Sequence, residues 1–219
     1  MNTKKLSLAL VMAGMLGASA SANAIDLTFS GNFVNDNDVL IFSFSVAAPS
    51  TVTVFSSSWL YGEPPAGAGP GGFDPILGIW SSAGNLINQQ DDGGNTGTTL
   101  VNGTPYNHGT WDSYYTVNLG AGNYFATVTQ YDNFAAGTTL AAGFQQVGNP
   151  NFTFDQNFGG ATQPLFNGVW DGSDPRTSFW RFHLLNVDQA SVVPEPGALA
   201  LLGIGLMGLA AARRRKQAA

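Results

Sequence analysis

The sequence predicts an all-β fold, a jelly-roll-like antiparallel β-sandwich flanked by an N-terminal signal helix and a C-terminal transmembrane helix. Apolar and polar residues alternate with a period of two in several short runs, as in strands with one buried face. Residues 25–193 contain 22 glycines and lack blocks of Ala, Leu, Glu and Lys at helical spacing. Because Gly-rich and Asn/Asp-rich turns connect the runs, the pattern favours a sandwich over a helical fold.

The first 24 residues have the parts of a secretory signal peptide. Lys4 and Lys5 supply a positive start, and residues 6–17 form an apolar run. Ala22 and Ala24 place small residues at the two positions that signal peptidase reads, which predicts cleavage after Ala24. We therefore expect the secretion translocon and signal peptidase to export the chain across the inner membrane. A retained N-terminal membrane anchor is the alternative.

Strands are expected throughout residues 25–193, which we assign to a single exported domain. The alternating runs, in chain order, are Leu40–Val46, 51–54, Tyr114–Leu119, 124–129 and 180–187. Residues 62–72 are rich in Pro and Gly, which predicts a long loop. Residues 133–178 have the weakest pattern, and short strands are expected there around residues 152–154.

Residues 194–219 form a C-terminal segment that consists of three parts. Pro194, Glu195 and Pro196 come first, and 16 uncharged residues rich in Leu, Ala and Gly follow at 197–212. As a transmembrane helix this run spans about 24 Å, so adjoining residues or local thinning must help it cross a hydrocarbon core of about 30 Å. The basic tail that follows consists of Arg213, Arg214, Arg215 and Lys216. By the positive-inside rule this tail stays cytoplasmic, which leaves residues 25–193 facing outward.

This C-terminal segment resembles the PEP-CTERM sorting signal, in which a Pro-Glu-Pro motif, an apolar helix and an arginine cluster occur in this order. The resemblance implies recognition by exosortase, a membrane cysteine protease-transpeptidase, with cleavage near residues 194–196. It also implies a Gram-negative host that makes exopolysaccharide. We expect transient anchoring in the inner membrane, then delivery to the cell surface or to an extracellular biofilm matrix. A permanent tail anchor is the alternative.

Charge and composition exclude several classes of function. Residues 25–193 carry 2 basic and 13 acidic side chains, a net charge of −11, with no lysine. Such a surface repels phosphate, so we expect no nucleic-acid partner. The chain has no Cys, which excludes thiol catalysis, disulfides, zinc-thiolate sites and iron–sulfur clusters.

Aspartates in turns are the main candidates for metal ligands. The candidates are Asp36, Asp38, Asp91, Asp92 and Asp132, each flanked by Asn, Gly or other turn residues. Calcium binds six to eight oxygen ligands in flexible loops, and an exported protein meets calcium outside the cell. Calcium is therefore the one cofactor that the sequence suggests. The alternative is that these side chains accept hydrogen bonds from nearby backbone N–H groups and stabilise the turns.

Aromatic residues beside loops are candidates for contact with carbohydrate, including exopolysaccharide. Trp59 and Tyr61 border the Pro/Gly-rich loop, and Trp111 borders a Gly/Asn-rich one. Aromatic faces stack on sugar rings when they are exposed, whereas the alternative is that they fill the core of the sandwich.

Signals for catalysis are scarce. The sequence contains no Gly-x-Ser-x-Gly motif, neither His108 nor His183 lies in a recognisable catalytic motif, and Glu63 is the only Glu in residues 25–193. We therefore expect no catalytic residues and a protein that is not an enzyme. A polysaccharide hydrolase that uses two carboxylates remains an alternative, because such pairs need to be close in space but not in sequence.

Residues 30–132 resemble bacterial pre-peptidase C-terminal domains. The resemblance rests on residues 35–44 (NDNDVLIFSF), 73–80 (FDPILGIW), 91–94 (DDGG) and 115–126 (YTVNLGAGNYFA). It implies a small jelly-roll sandwich of the kind appended to secreted enzymes, some of which bind calcium or polymeric substrates. The leading hypothesis is a non-enzymatic exported protein of the cell surface or extracellular matrix. A calcium-dependent carbohydrate-binding module is the second hypothesis.

Overall fold

The computed structural model describes residues 24–60, 71–94, 96–155, 166 and 176–193. The signal peptide up to residue 23, Tyr61, the Pro-Glu-Pro motif, the tail helix and the basic tail lie outside the described residues. Within the described ranges, no helix is both long and apolar enough to span a membrane.

Two antiparallel sheets and a separate hairpin contain the strands of the described chain. The first sheet has the order β1-β10-β3-β8, with β1 (Ile25–Asn32), β10 (Phe179–Val187), β3 (Ser50–Ser56) and β8 (Tyr114–Leu119). The second has the order β11-β2-β9-β4-β5, with β11 (Gln189–Val192), β2 (Leu40–Val46), β9 (Gly122–Gln130), β4 (Pro75–Ser81) and β5 (Leu86–Gln90). The hairpin pairs β6 (Gly97–Val101) with β7 (Thr104–His108). These sheets confirm the prediction of an all-β antiparallel sandwich.

The core forms because alternation along the strands turns one face of each sheet towards the other. Phe42 and Phe44 of β2 are buried, as are Phe182 and Leu184 of β10 in the other sheet. The rings of Phe42 and Phe182 contact each other with their centroids 4.9 Å apart. Each such side chain contributes about 1.5–3 kcal/mol through burial alone.

Strand β4 is buried on both of its faces, which explains why its sequence shows no alternation. Leu77 and Ile79 belong to the core between the sheets. Trp80 is also fully buried, since Phe144 packs against its ring with centroids 6.2 Å apart. The Trp80 indole N–H donates a 3.0 Å hydrogen bond to the Thr127 hydroxyl. A strand that is covered on both sides is apolar throughout, so a search for alternating apolar and polar residues does not detect it.

A short helix, α1 (Phe152–Asp155), occupies the place where the sequence suggested short strands. Thr153 of this helix donates from its backbone N–H to the Asp36 carboxylate at 3.1 Å, and its hydroxyl also bonds that carboxylate. The expectation of strands at residues 152–154 was wrong, because these donors meet a buried carboxylate instead of a neighbouring strand.

The register of β4 brings three chain segments to one end of the sandwich. Strand β4 runs antiparallel to both β5 and β9, with Leu77 opposite Gln90 and Pro75 opposite Gln130. Residues just before β4 therefore lie beside residues just after β5 and just after β9.

Candidate functional site

Three aspartates converge at this end of the second sheet. Asp74 immediately precedes β4, while Asp91 and Asp92 immediately follow β5. One carboxylate oxygen from each lies within 4.8 Å of those of the other two. We call these three residues the aspartate cluster. It contains two of the five aspartates that the sequence singled out, together with one that it did not.

Asp74 is buried without full hydrogen bonding. Its side chain is 1% exposed, and its Oδ1 atom has no hydrogen-bond partner among the described residues. The Oδ1 atom of Asp91 is likewise buried and without a partner in that part of the chain. Burying a carboxylate without compensating contacts costs several kcal/mol, so this arrangement is unfavourable for three ionised groups.

Burial and mutual repulsion act together on the protonation of the cluster. Burial raises the pKa of Asp74 well above its ordinary value, and the charges of Asp91, Asp92 and Asp112 raise it further. The pKa of Asp91 rises to about 7, mainly through burial and then through the charges of Asp92 and Asp132. The cluster therefore retains protons to higher pH than isolated carboxylates do.

Asp132 lies at the rim of the aspartate cluster. It follows β9 and is half-buried, and its charge acts on Asp91. The neighbouring Tyr131 has its pKa raised, first by burial and then by Asp132 and the aspartate cluster. Four negative side chains thus surround a small region at the ends of β4, β5 and β9.

Among the described residues, Arg176 is the cation that lowers the pKa of Asp74. Its Nε–H donates to the Gly72 carbonyl at 2.8 Å, and an Nη2–H donates to the Trp59 carbonyl. The guanidinium carbon lies 3.5 Å from the centre of the Trp59 ring. These contacts hold Arg176 against Trp59 and the Gly72 carbonyl, from where its charge acts on Asp74.

The loop after β5 needs glycine at its third position. A Cβ at Gly93 would lie 2.6 Å from the Asp112 carbonyl oxygen and 2.7 Å from the Tyr114 backbone nitrogen. The Gly93 N–H also donates to that carbonyl at 3.0 Å. Gly93 thus lets the chain pass close to the start of β8, and this path places Asp91 and Asp92 next to Asp74.

Asp36 and Asp38 lie outside the aspartate cluster and accept hydrogen bonds from the chain. Asp36 is fully buried, and it receives the Phe166 N–H at 2.7 Å in addition to its bonds from Thr153. Asp38 receives the backbone N–H groups of Val34 and Asn35 at 2.6 and 2.9 Å. Both therefore act as acceptors that shape loops, in keeping with the alternative considered for them.

Asp112 is a buried carboxylate that sequence reasoning missed. Its Oδ1 atom accepts from the Ser56 hydroxyl at 2.9 Å, from the Ser58 N–H at 3.0 Å and from the Trp59 N–H at 3.1 Å. Its Oδ2 atom accepts from the Gly109 N–H at 2.9 Å. Asp74 was also missed, because no second Asp or Asn adjoins it in the sequence and only the register of β4 brings it to the cluster.

The candidate sugar-contact residues differ in exposure. Trp59 is 7% exposed and lies beneath Arg176, so it does not present the open ring that was expected of it. The cause is the bonding of Arg176 to the loop around Trp59, which the sequence could not reveal. Trp111 is half-buried and packs against Trp59 with ring centroids 6.1 Å apart.

His183 forms a hydrogen-bonded chain with two hydroxyls inside the protein. Its Nε2 lies 2.8 Å from the Ser57 hydroxyl oxygen, and its Nδ1 lies 2.9 Å from the Thr28 hydroxyl oxygen. Burial lowers the pKa of His183 to about 3, so the ring stays neutral. Ser57 and His183 are both fully buried, so a substrate cannot reach them. Their hydrogen bonds link β1, β10 and the end of β3.

Comparisons with known proteins identify the C-terminal segment. Residues 192–216 match the PEP-CTERM protein-sorting motif, which confirms the resemblance found in the sequence. No curated protein matches the chain. Among solved structures, the chain is similar to the pre-peptidase C-terminal domain of a collagenase from Bacillus anthracis, with a TM-score of 0.34 and 9% identity. The match covers 76% of this chain and 90% of that domain.

Proposed function

We propose that this protein is a non-enzymatic exported β-sandwich that exosortase delivers to the cell surface or extracellular matrix of an exopolysaccharide-producing bacterium. The sorting motif at residues 192–216 carries the proposal, because it implies export, a transient C-terminal membrane anchor and recognition by exosortase. The proposal goes further than the motif in one respect, because it names an exopolysaccharide layer as the destination of the exported protein.

The motif begins where the sandwich ends. Strand β11 finishes at Val192, and the Val193 N–H still donates to the Ile41 carbonyl of β2 at 2.7 Å. Strand β11 is an edge strand that pairs only with β2 in the described chain. Processing near residues 194–196 would therefore release the whole sandwich and leave its last strand intact.

The strand order supports the jelly-roll part of the fold proposal. Without the hairpin and the edge strand β11, the sheets have the orders β1-β10-β3-β8 and β2-β9-β4-β5. Successive strands from β1 to β4, and again from β8 to β10, alternate between the two sheets. This alternation is typical of jelly rolls, which serve widely as binding and structural domains.

The burial of the Ser57–His183 pair supports a non-enzymatic role. A nucleophile and its base must contact substrate, whereas both groups here are closed off from solvent. The bond from Nδ1 goes to a Thr hydroxyl instead of a carboxylate.

Mass spectrometry of protein from host cells with and without the exosortase gene tests the proposal. We expect the mature chain to begin at Ile25 and to end near residues 194–196 only when exosortase is present. A Glu195→Ala variant should accumulate with its tail intact, while Glu63→Ala should be processed like the wild type. A chain that ends at Ala219 in both hosts would contradict the proposal.

Calcium-dependent carbohydrate binding is a second candidate function. The observation that favours it is the partly exposed Trp111, whose ring packs against that of Trp59 with centroids 6.1 Å apart. Glycan arrays probed in calcium and in EDTA test this candidate. We expect calcium-dependent retention by an exopolysaccharide and its loss in Trp111→Ala, with Trp111→Phe retaining part of it. Absence of binding under both conditions would exclude this function.

A further inference from the structure

The dimensions of the aspartate cluster suit a single calcium ion. Calcium binds oxygen at 2.3–2.6 Å, so two oxygens on the same ion lie no more than about 5 Å apart. One oxygen from each of Asp74, Asp91 and Asp92 meets this limit, since all three lie within 4.8 Å of one another. The ligands come from two chain segments at the same end of the β4–β5 pair, and the register of that pair sets their separation.

Asp74 provides a second and independent observation. An acidic cluster on a surface is often only solvated, but Asp74 is 1% exposed and its Oδ1 atom has no hydrogen-bond partner in the described chain. An unpartnered buried oxygen close to two further carboxylates needs positive charge nearby. Asp112 shows the contrast, because backbone and hydroxyl donors occupy both of its oxygens.

The described protein cations offset only part of the negative charge at this position, because Arg176 is the one of them that lowers the pKa of Asp74. The described chain contains only two basic residues, Arg176 and Arg181. Arg176 is held by two carbonyl groups and the Trp59 ring, and Arg181 lies over the rings of Tyr106 and Phe179. A divalent cation from solution would supply the two positive charges that this group of carboxylates favours.

The ligand chemistry favours calcium over other metals. The aspartate cluster offers only carboxylate oxygens, which hard cations prefer, and Asp132 adds a fourth carboxylate at the rim. Asp92 is exposed, so water can complete a coordination shell of six to eight ligands. Magnesium demands a smaller and more regular octahedron, which loop carboxylates satisfy less readily.

We propose that Asp74, Asp91 and Asp92 bind one Ca²⁺ ion, with Asp132 strengthening the site from its rim. The ion ties the start of β4 to the end of β5 and so clamps one end of the second sheet. The site goes beyond the proposed sorting function, because it would operate whether or not exosortase processes the chain.

Calorimetric titration of the purified exported protein with CaCl₂ tests the site. We expect one site per chain with a Kd of about 0.1–1 mM, as in other extracellular calcium modules. About 10 mM Ca²⁺ should raise the Tm by about 5 °C relative to EDTA, and the same concentration of Mg²⁺ should raise it less. A response to Mg²⁺ equal to or larger than that to Ca²⁺ would overturn the assignment of calcium.

Matched Asp→Asn variants distinguish the site from non-specific binding. Asp74→Asn and Asp91→Asn should each weaken Ca²⁺ binding at least tenfold and abolish the rise in Tm, while Asp132→Asn should weaken it less. Asp188→Asn is the control and should respond like the wild type, because Asp188 bonds the Ala47 N–H far along the chain from the aspartate cluster. If Asp74→Asn does not fold, Asp91→Asn decides alone. Wild-type protein that shows neither binding nor a rise in Tm, or variants that respond like it, would overturn the proposal.

Discussion

Asp112 and Asp74 are both buried carboxylates at the same end of the sandwich, yet their surroundings are opposite. Asp112 accepts four hydrogen bonds from Ser56, Ser58, Trp59 and Gly109. Asp74 has an Oδ1 atom without a partner in the described chain, and it faces two further carboxylates. The two are close enough for the charge of Asp112 to act on Asp74.

Hydrogen-bond supply, and not burial, is what distinguishes these two carboxylates. Burial raises the pKa of both groups. At Asp112, bonds from Gly109, Trp59 and Ser56 oppose the effect of burial, whereas at Asp74 the neighbouring acids reinforce it. The described chain thus supplies Asp112 with donors for both of its oxygens and leaves Oδ1 of Asp74 without one.

The largest effect is expected at Asp112. Asp112→Ala leaves four donors without their acceptor, and at about 1 kcal/mol or more for each the free energy of unfolding should fall by about 4 kcal/mol. Asp112→Asn keeps one acceptor oxygen and should lose less. Urea denaturation measures both, and the loss should be the same in calcium and in EDTA. A loss that appears only in calcium would place Asp112 in the metal site and end the contrast with Asp74.

His183 extends the comparison to a buried group that remains uncharged. Its pKa is lowered from 6.5 to about 3, first by burial and then by the charges of Arg181 and His108. As the pH falls below 6.5 the unfolded chain takes up a proton that the folded chain does not, so stability is lost between pH 6.5 and 3.

The titration of His183 should cost the wild type about 3 kcal/mol of unfolding free energy at pH 4 relative to pH 8. The matched variant His183→Gln has no titratable ring and retains hydrogen-bonding atoms for Thr28 and Ser57. We therefore expect the wild-type advantage over this variant to shrink by that amount on acidification. Denaturant unfolding at both pH values measures the change, and an equal difference at pH 4 and pH 8 would contradict a buried neutral histidine.

Replacing Asp74 by Asn should change stability in the opposite direction to Asp112→Asn. In EDTA, Asp74→Asn removes a buried acid whose ionisation is unfavourable beside Asp91 and Asp92, so the free energy of unfolding should rise by about 2 kcal/mol. In calcium the variant should instead be less stable than the wild type, because it loses the ion. Thermal unfolding in both buffers, with Asp112→Asn alongside, provides the test. If Asp74→Asn destabilised the protein in EDTA as Asp112→Asn does, the two carboxylates would be equivalent.

Sequence patterns revealed the strands that have one buried face. Strands β2, β3, β8, β9 and β10 follow the alternating runs, because period-two burial leaves its mark in the sequence. Strand β4 could not be found in this way, since Trp80 is buried on the face opposite Leu77. The helix at Phe152–Asp155 depends on Asp36, more than 100 residues away, and no local pattern encodes that contact.

The site could be predicted only in part for a similar reason. The turn residues around Asp91 and Asp92 indicated two of its three members. Asp36 and Asp38 have the same local signature but accept backbone N–H groups. Asp74 has no adjoining Asp or Asn, and it joins the aspartate cluster through the pairing of β4 with β5. Local sequence therefore shows where carboxylates can lie, whereas long-range register decides which of them meet.

The smallest effect is expected at the opposite edge of the same sheet, in β11. Ser191→Pro removes a backbone donor from a four-residue edge strand and should lower the free energy of unfolding by about 1 kcal/mol. Ser191→Ala is its control, because it loses only the contact between the Ser191 and Ser43 hydroxyls at 3.1 Å. Three strands separate β11 from β5, so the calcium-induced rise in Tm should match the wild type in both variants. A loss of that rise in Ser191→Pro would mean that the effect of calcium on Tm depends on the stability of the whole sheet and not on binding to the carboxylates beside β4.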